Sequence, residues 1–283
     1  MSKTVDAVIY VGGGADTICV YLVSSEKRIN IDCRNAGTDV GEKIGAAIAH
    51  FSKNHPSEKI ARVTFVLDDS FIFTDTLTVP SANKSTTEKA LSYACSSIYQ
   101  SGESTEIKSY ALKTGEHRAT YVVMGVSKNV TDAIHGACHR ARIELCGIIS
   151  AASSAIYAAL SFNSRLKVEA FTLLNIGEEA AKVIFVKDAK PLGTYTIPFG
   201  HENITEIAKI TKSVIDANSW ICDFGKFDKI YVTLPSNTSA FTESDDKYTF
   251  LPLCEKAIIG ERFKNLELCG AALTKLHQKE CGF

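Results

Sequence analysis

Val8-Ile9-Tyr10-Val11-Gly12-Gly13-Gly14-Ala15-Asp16-Thr17-Ile18-Cys19-Val20-Tyr21 lies near the start of the chain, and its pattern returns at Leu173-Leu174-Asn175-Ile176-Gly177-Glu178-Glu179-Ala180-Ala181-Lys182-Val183-Ile184-Phe185-Val186. Each copy is an apolar strand, a short turn opened by Gly12 or Gly177, and a second apolar strand. A third strand candidate follows each copy, Arg28 to Cys33 and Leu192 to Pro198. A supersecondary unit repeated about half a chain apart points to two related lobes.

Working outward, Thr38-Asp39-Val40-Gly41-Glu42 leads into an amphipathic helix with Val40, Ile44, Ala47, Ile48 and Phe51 at helical spacing, ended by His55-Pro56. Ala61 to Leu67 reads as a buried strand. Ser70 to Val79 alternates, with Phe71, Phe73, Asp75, Leu77 and Val79 on one face, and Pro80 stops it. Ser85-Thr86-Thr87-Glu88 has the form of a capping box opening a helix with Leu91, Ala94, Cys95 and Ile98 inward. Strands at Glu106 to Lys113 and Arg118 to Val126 precede a helix from Asn129 to Arg142. The chain therefore divides into residues 1–60, the opening of the first lobe; 61–146, a compact α+β insertion; and 147–283, which carries a small-residue helix at Ser150 to Leu160 suited to packing between lobes, the second lobe, and a closing helix at Leu266 to His277. Between them a helix from His201, a strand at Phe227 to Leu234 and a polar loop at Ser236 to Tyr248 are expected.

The composition bounds the partners. A length of 283 residues is ample for a hydrophobic core, and a net charge of -1 gives no support to a nucleic-acid partner. No apolar run approaches the roughly 20 residues that cross a bilayer, so direct membrane insertion is not expected. The opening residues lack the apolar core of a signal peptide, which makes the cytoplasm the expected location. The 9 cysteines are odd in number and singly scattered, without a CxxC pair, and read as buried free thiols.

Several constellations invite a chemical reading. Gly12-Gly13-Gly14 could cradle an anion with backbone amides, and Asp16 could serve beside it; the plainer reading is a flexible turn, since no helix follows. His135 and His139 lie four apart on a helix around Cys138, but no carboxylate or further thiol has ligand spacing, so no metal site is expected. Ser153-Ser154 lacks a GxSxG turn. Asp68-Asp69 is a carboxylate pair that could bind a cation, but adjacent acids between two strands read as a solvated turn. The strand from Phe71 to Val79 accepts an extended peptide if it lies at a sheet edge and is a plain interior strand otherwise.

The order of elements resembles the actin-like ATPase superfamily, and within it the type IV pilus assembly protein PilM and the cell-division protein FtsA. The likeness rests on Phe71 to Pro80 before the helix at Glu88, Tyr121 to Val126 and its following helix leading to a turn at Cys146-Gly147-Ile148, Pro198-Phe199-Gly200-His201-Glu202-Asn203-Ile204-Thr205, and Gly270-Ala271-Ala272-Leu273. It implies an α/β, actin-like (ribonuclease H-like) two-lobed fold with a duplicated three-stranded meander and a small inserted α+β subdomain. In that superfamily two phosphate loops hold a nucleotide, and an aspartate two residues before each glycine organises magnesium. Gly12, Gly13, Gly14 and Gly177 match the loop glycines, but Tyr10 and Asn175 stand where the acids belong. A phenol is protonated at neutral pH and an amide is uncharged, so neither balances magnesium. Pro235-Ser236-Asn237 replaces the adenosine-holding Gly-Gly turn, and Ala151-Ala152-Ser153 carries no catalytic acid. The resemblance thus implies a scaffold without cofactor or catalysis. Its partner would be the cytoplasmic tail of an inner-membrane assembly protein, bound between the insertion and the first lobe through Phe71, Phe73, Asp75 and Leu77 and holding the chain peripherally at the inner face of the membrane. An ATPase or kinase with a remodelled ATP/magnesium site, using Asp16 or Glu178 and Glu179, is the alternative, and a homo-oligomer is left open.

Overall fold

The computed structural model describes residues 3–98, 104–177, 180–198, 204–233, 247–253 and 266–274. The chain forms two compact units, one running to Ala151 and the other spanning Ala152–Thr274.

In the first unit β1 (Lys3–Val11), β2 (Thr17–Leu22) and β3 (Lys27–Asp32) form an antiparallel meander. After α1 (Val40–Asn54), β4 (Glu58–Leu67) returns parallel to β1. The sheet has the order β3-β2-β1-β4-β8. Ala7, Val8 and Ile9 of β1 and Val63, Phe65, Val66 and Leu67 of β4 are wholly buried, which is how central strands covered on both faces read in sequence. Asp39 caps α1 by accepting from the amides of Gly41 and Glu42, at 2.5 and 3.2 Å.

Between β4 and α3 (Lys128–Ala141) lies a separate sheet of β5 (Ile72–Pro80), β6 (Thr105–Thr114) and β7 (Arg118–Ser127) in the order β5-β7-β6. Helix α2 (Lys84–Ile98) covers one face, where Val79, Leu91, Cys95 and Val123 form a buried cluster. The insertion is therefore narrower than the expected 61–146. Strand β4 pairs with β1, α3 packs on α1, and the segment Cys146-Gly147-Ile148, expected as a turn, lies in β8 (Glu144–Ser150), which pairs with β4. Periodicity reveals a strand but not the sheet it joins, so the boundary was invisible in sequence. The capping box at Ser85 is also not what forms: Asn83 caps α2, its Oδ1 accepting from the Thr86 amide at 3.0 Å.

The second unit repeats the scheme. Helix α4 (Ala151–Phe162) leads to β9 (Ala170–Ile176), β10 (Ala180–Lys187) and β11 (Lys190–Pro198) as an antiparallel meander. After α5 (Ile204–Ala217) come β12 (Lys229–Val232), parallel to β9, and β13 (Thr249–Pro252). The order β11-β10-β9-β12-β13 matches the first sheet strand for strand. The unit ends with α6 (Leu266–Thr274). The alanines of α4 serve this unit's own core: Ala152, Ala155, Ile156 and Ala159 pack with Leu173, Ile184 and Leu266. The approach of α4 to α6 is close enough that a Cβ on Gly270 would sit 1.7 Å from the Ser154 carbonyl oxygen. Glu178, Glu179, Pro235-Ser236-Asn237, most of the loop expected from Ser236 and the segment 199–203 lie outside the described residues.

Candidate functional site

The two phosphate-loop positions fall at equivalent places, the carboxyl ends of β1 and β9. Gly12 has extended backbone (φ -73°, ψ 176°), and Gly13 opens one 3-10 turn ending at Ala15. The left-handed position in this turn belongs to Ala15, at φ 55°, and not to a glycine. A Cβ would meet only ordinary contacts at Gly12, 3.4 Å from the Thr17 carbonyl oxygen, and at Gly13, 3.6 Å from Ser70 Oγ. Neither backbone angles nor crowding demand glycine at these two sites.

Tyr10 is half-buried, and its hydroxyl donates to Asp68 Oδ2 at 2.7 Å. Asp68 follows β4, and its Oδ1 accepts from the Ser70 amide at 3.1 Å, so it shapes the turn as expected while also holding the phenol. Asp16, read in sequence as able to serve beside the glycine loop, is paired with a lysine. Its Oδ1 accepts from Lys43 Nζ at 2.6 Å, and this lysine side chain is only 10% exposed. A buried ammonium needs a partner, and Asp16 supplies it.

In the second unit Asn175 is buried, 3% exposed. Its Nδ2 donates to Glu267 Oε1 at 2.7 Å, and its Oδ1 accepts from Thr233 Oγ1 at 3.0 Å. Thr233 Oγ1 also accepts from the Ile176 amide at 3.0 Å. Glu267 stands in the first turn of α6, where a carboxylate also meets the positive end of the helix dipole. Ser154 Oγ donates to the Glu267 carbonyl, so this serine is a helix-to-helix tie. Gly177 donates its amide to Ala180 at 2.9 Å, closing the hairpin.

The two repeats thus share one arrangement. At each expected acid position stands a donor, and each donor meets a carboxylate from another element. Asp68 was read in sequence as a solvated turn former in preference to a cation ligand, and not as a partner of Tyr10. Glu267 and Thr233 carried no sequence signal, because they approach Asn175 from 92 and 58 residues away.

The other candidates separate. His135 and His139 are exposed on α3, whereas Cys138 is 2% exposed and its thiol is pushed by burial up to about 11. Among the described residues no group of three His, Cys, Asp or Glu could hold a metal. Five described cysteines are buried as expected, but Cys222 is exposed and Cys146 half-exposed. Phe73 and Leu77, expected to face a partner, pack against the cluster under α2, and the Phe73 ring lies across Gly125 where a Cβ would come within 2.2 Å. Phe71 precedes β5, and Asp75 Oδ1 accepts from the Thr76 amide at 2.7 Å. Strand β5 itself is an edge strand. No described helix is long and apolar enough to cross a membrane.

No protein-family model and no curated protein matches the sequence. Solved structures do match. A PilM-PilN type IV pilus biogenesis complex aligns with a TM-score of 0.64 at 10% identity, over 95% of this chain and 97% of that one. The cytoplasmic domain of EpsL, an inner membrane component of the type II secretion system of Vibrio cholerae, aligns with a TM-score of 0.54 at 13% identity, over 98% and 96%. These likenesses concern the fold, and the duplicated strand order and the inserted sheet agree with them: the chain has the actin-like, ribonuclease H-like fold, with PilM and the cytoplasmic part of EpsL among its structural relatives.

Proposed function

We propose that this protein is a non-catalytic actin-like scaffold that docks a short tail of a membrane partner in a type IV pilus or related assembly machine. The observation that carries the reading is the pair of occupied acid positions. Tyr10 and Asn175 are hydrogen-bonded to Asp68 and Glu267 within their own units, so each strand end is satisfied internally. The aligned relatives support the partner class: one was solved as a PilM-PilN complex, and the other is part of an inner membrane component. On this reading the chain is cytoplasmic, held peripherally at the membrane by its partner, and takes the tail at the inserted β5-β7-β6 sheet of the first unit. Pull-down with the cytoplasmic tails of membrane proteins encoded beside it tests this; retention of one tail is expected, and failure of every tail overturns it.

A second reading, a nucleotide-binding protein with a remodelled site, draws on Gly12 and Gly13, whose lack of side chains folding does not require. Calorimetry with ATP and magnesium separates the two: flat traces agree with the scaffold, and micromolar binding abolished by EDTA would replace it.

A further inference from the structure

Val168 is 80% exposed, more than any other large apolar side chain among the described residues. It ends the 3-10 turn Ser164–Val168 that leads into β9, and Leu166 of that turn is buried in the second unit's core. With Leu166 anchored inward, its neighbours Arg165 and Lys167 stand outside; both are exposed and make no ion pair among the described residues. The turn between β10 and β11 arrives beside them, because β10 runs antiparallel to β9 and sets Lys187 opposite Ala170. Ala189 of that turn packs against the same core cluster as Leu166, and Lys187 and Lys190 lie on either side of the turn. The acids on these two segments already face cations: Glu169 Oε2 lies 3.3 Å from Lys229 Nζ, and Asp188 Oδ1 lies 3.6 Å from Lys187 Nζ. In a chain of net charge -1, the fold thus gathers cations from two separate stretches around an exposed valine.

We propose that this end of the second unit rests directly on an anionic lipid surface, with Val168 entering the headgroup layer and Arg165 and Lys167 meeting lipid phosphates. This goes beyond the scaffold reading, in which the partner alone holds the chain at the membrane. The charge complement of the patch is anionic, and each lysine or arginine brought to an anionic leaflet raises its occupancy about fivefold. A nucleic-acid backbone would satisfy the same cations. It offers no apolar layer, however, to a side chain that stands clear of its own core, whereas the boundary between headgroups and acyl chains does. Lys187 and Lys190 add to the attraction without having to touch a headgroup, since the field of the leaflet reaches about one Debye length. The two turns are braced by Leu166 and Ala189, so their outer side chains are presented without ordering a free loop.

The test sediments the full chain with vesicles of phosphatidylcholine alone and of phosphatidylcholine with about one-third phosphatidylglycerol. Binding to the anionic vesicles only is expected, and it should weaken several-fold as salt rises from about 50 to about 300 mM. Arg165→Gln combined with Lys167→Gln should weaken it about 25-fold at an unchanged thermal midpoint, both side chains being exposed. Val168→Ser should weaken it about 2–5-fold while leaving retention on heparin unchanged. Sedimentation with neither vesicle, or equally with both, overturns the proposal, as does anionic binding that ignores the double variant. Anionic binding that ignores Val168→Ser would make the patch a general polyanion surface and overturn it too. A retained tail without vesicle binding defeats the lipid contact alone; vesicle binding with no tail retained defeats the scaffold reading alone.

Discussion

Asn175 is the residue on which the chemistry turns most sharply, because it is buried and both ends of its amide are used. Asn175→Asp would place a second carboxylate within 2.7 Å of Glu267 Oε1 and remove the donor. Like charges that close raise the pKa of the pair above the unfolded values, and a raised carboxyl pKa costs stability above it. The variant should lose about 1–3 kcal/mol at pH 7 and recover part of it below about pH 5, measured by urea denaturation at both values. Gly13→Ala tests the opposite case. Its Cβ meets only an ordinary contact at 3.6 Å, and the residue is not among those with positive φ. Stability should be unchanged or higher by up to about 1 kcal/mol in the same measurement, through a less free unfolded chain. A clear loss would show a constraint on the first loop that its geometry does not contain.

At the scale of elements, helices are held by caps and by close approaches. Asn83→Ala removes the cap of α2 and should lower the insertion's stability by about 1 kcal/mol, read as faster hydrogen exchange in α2. Gly270→Ala drives a methyl into the Ser154 carbonyl, where the obstacle is backbone that cannot rotate away. It should cost about 1–3 kcal/mol or more and lower the unfolding midpoint of the second unit. Both hairpins, α1 and α3 were legible in sequence because their signals are local: apolar strand runs, a turn glycine, apolar residues at helical spacing. Strand β8 was missed because Cys146-Gly147-Ile148 resembles a turn in isolation and becomes a strand only beside β4. Strand β13 is four residues long, too short for any period to declare itself.

For the whole molecule the occupied acid positions make a single prediction about ligands. A nucleotide bound at micromolar Kd and supplied at 1 mM would stabilise the folded state by about 4 kcal/mol. Adding ATP and magnesium should instead leave the thermal midpoint of the wild-type protein unmoved, checked by calorimetric scanning with and without EDTA. The duplication, the α/β class, the identity of Tyr10 and Asn175 at the two strand ends and the presence of an insertion were all determined by the sequence alone. Each depends on residue types at short spacings or on two stretches that can be compared directly. Only the tertiary structure decided that β4 and α3 belong to the main lobe, that β5 lies at an edge, and that Tyr10 and Asn175 meet Asp68 and Glu267. The reason is physical: sheet membership and side-chain partnership join residues 58 and 92 positions apart, and local propensity carries no information about which distant group arrives at a strand end.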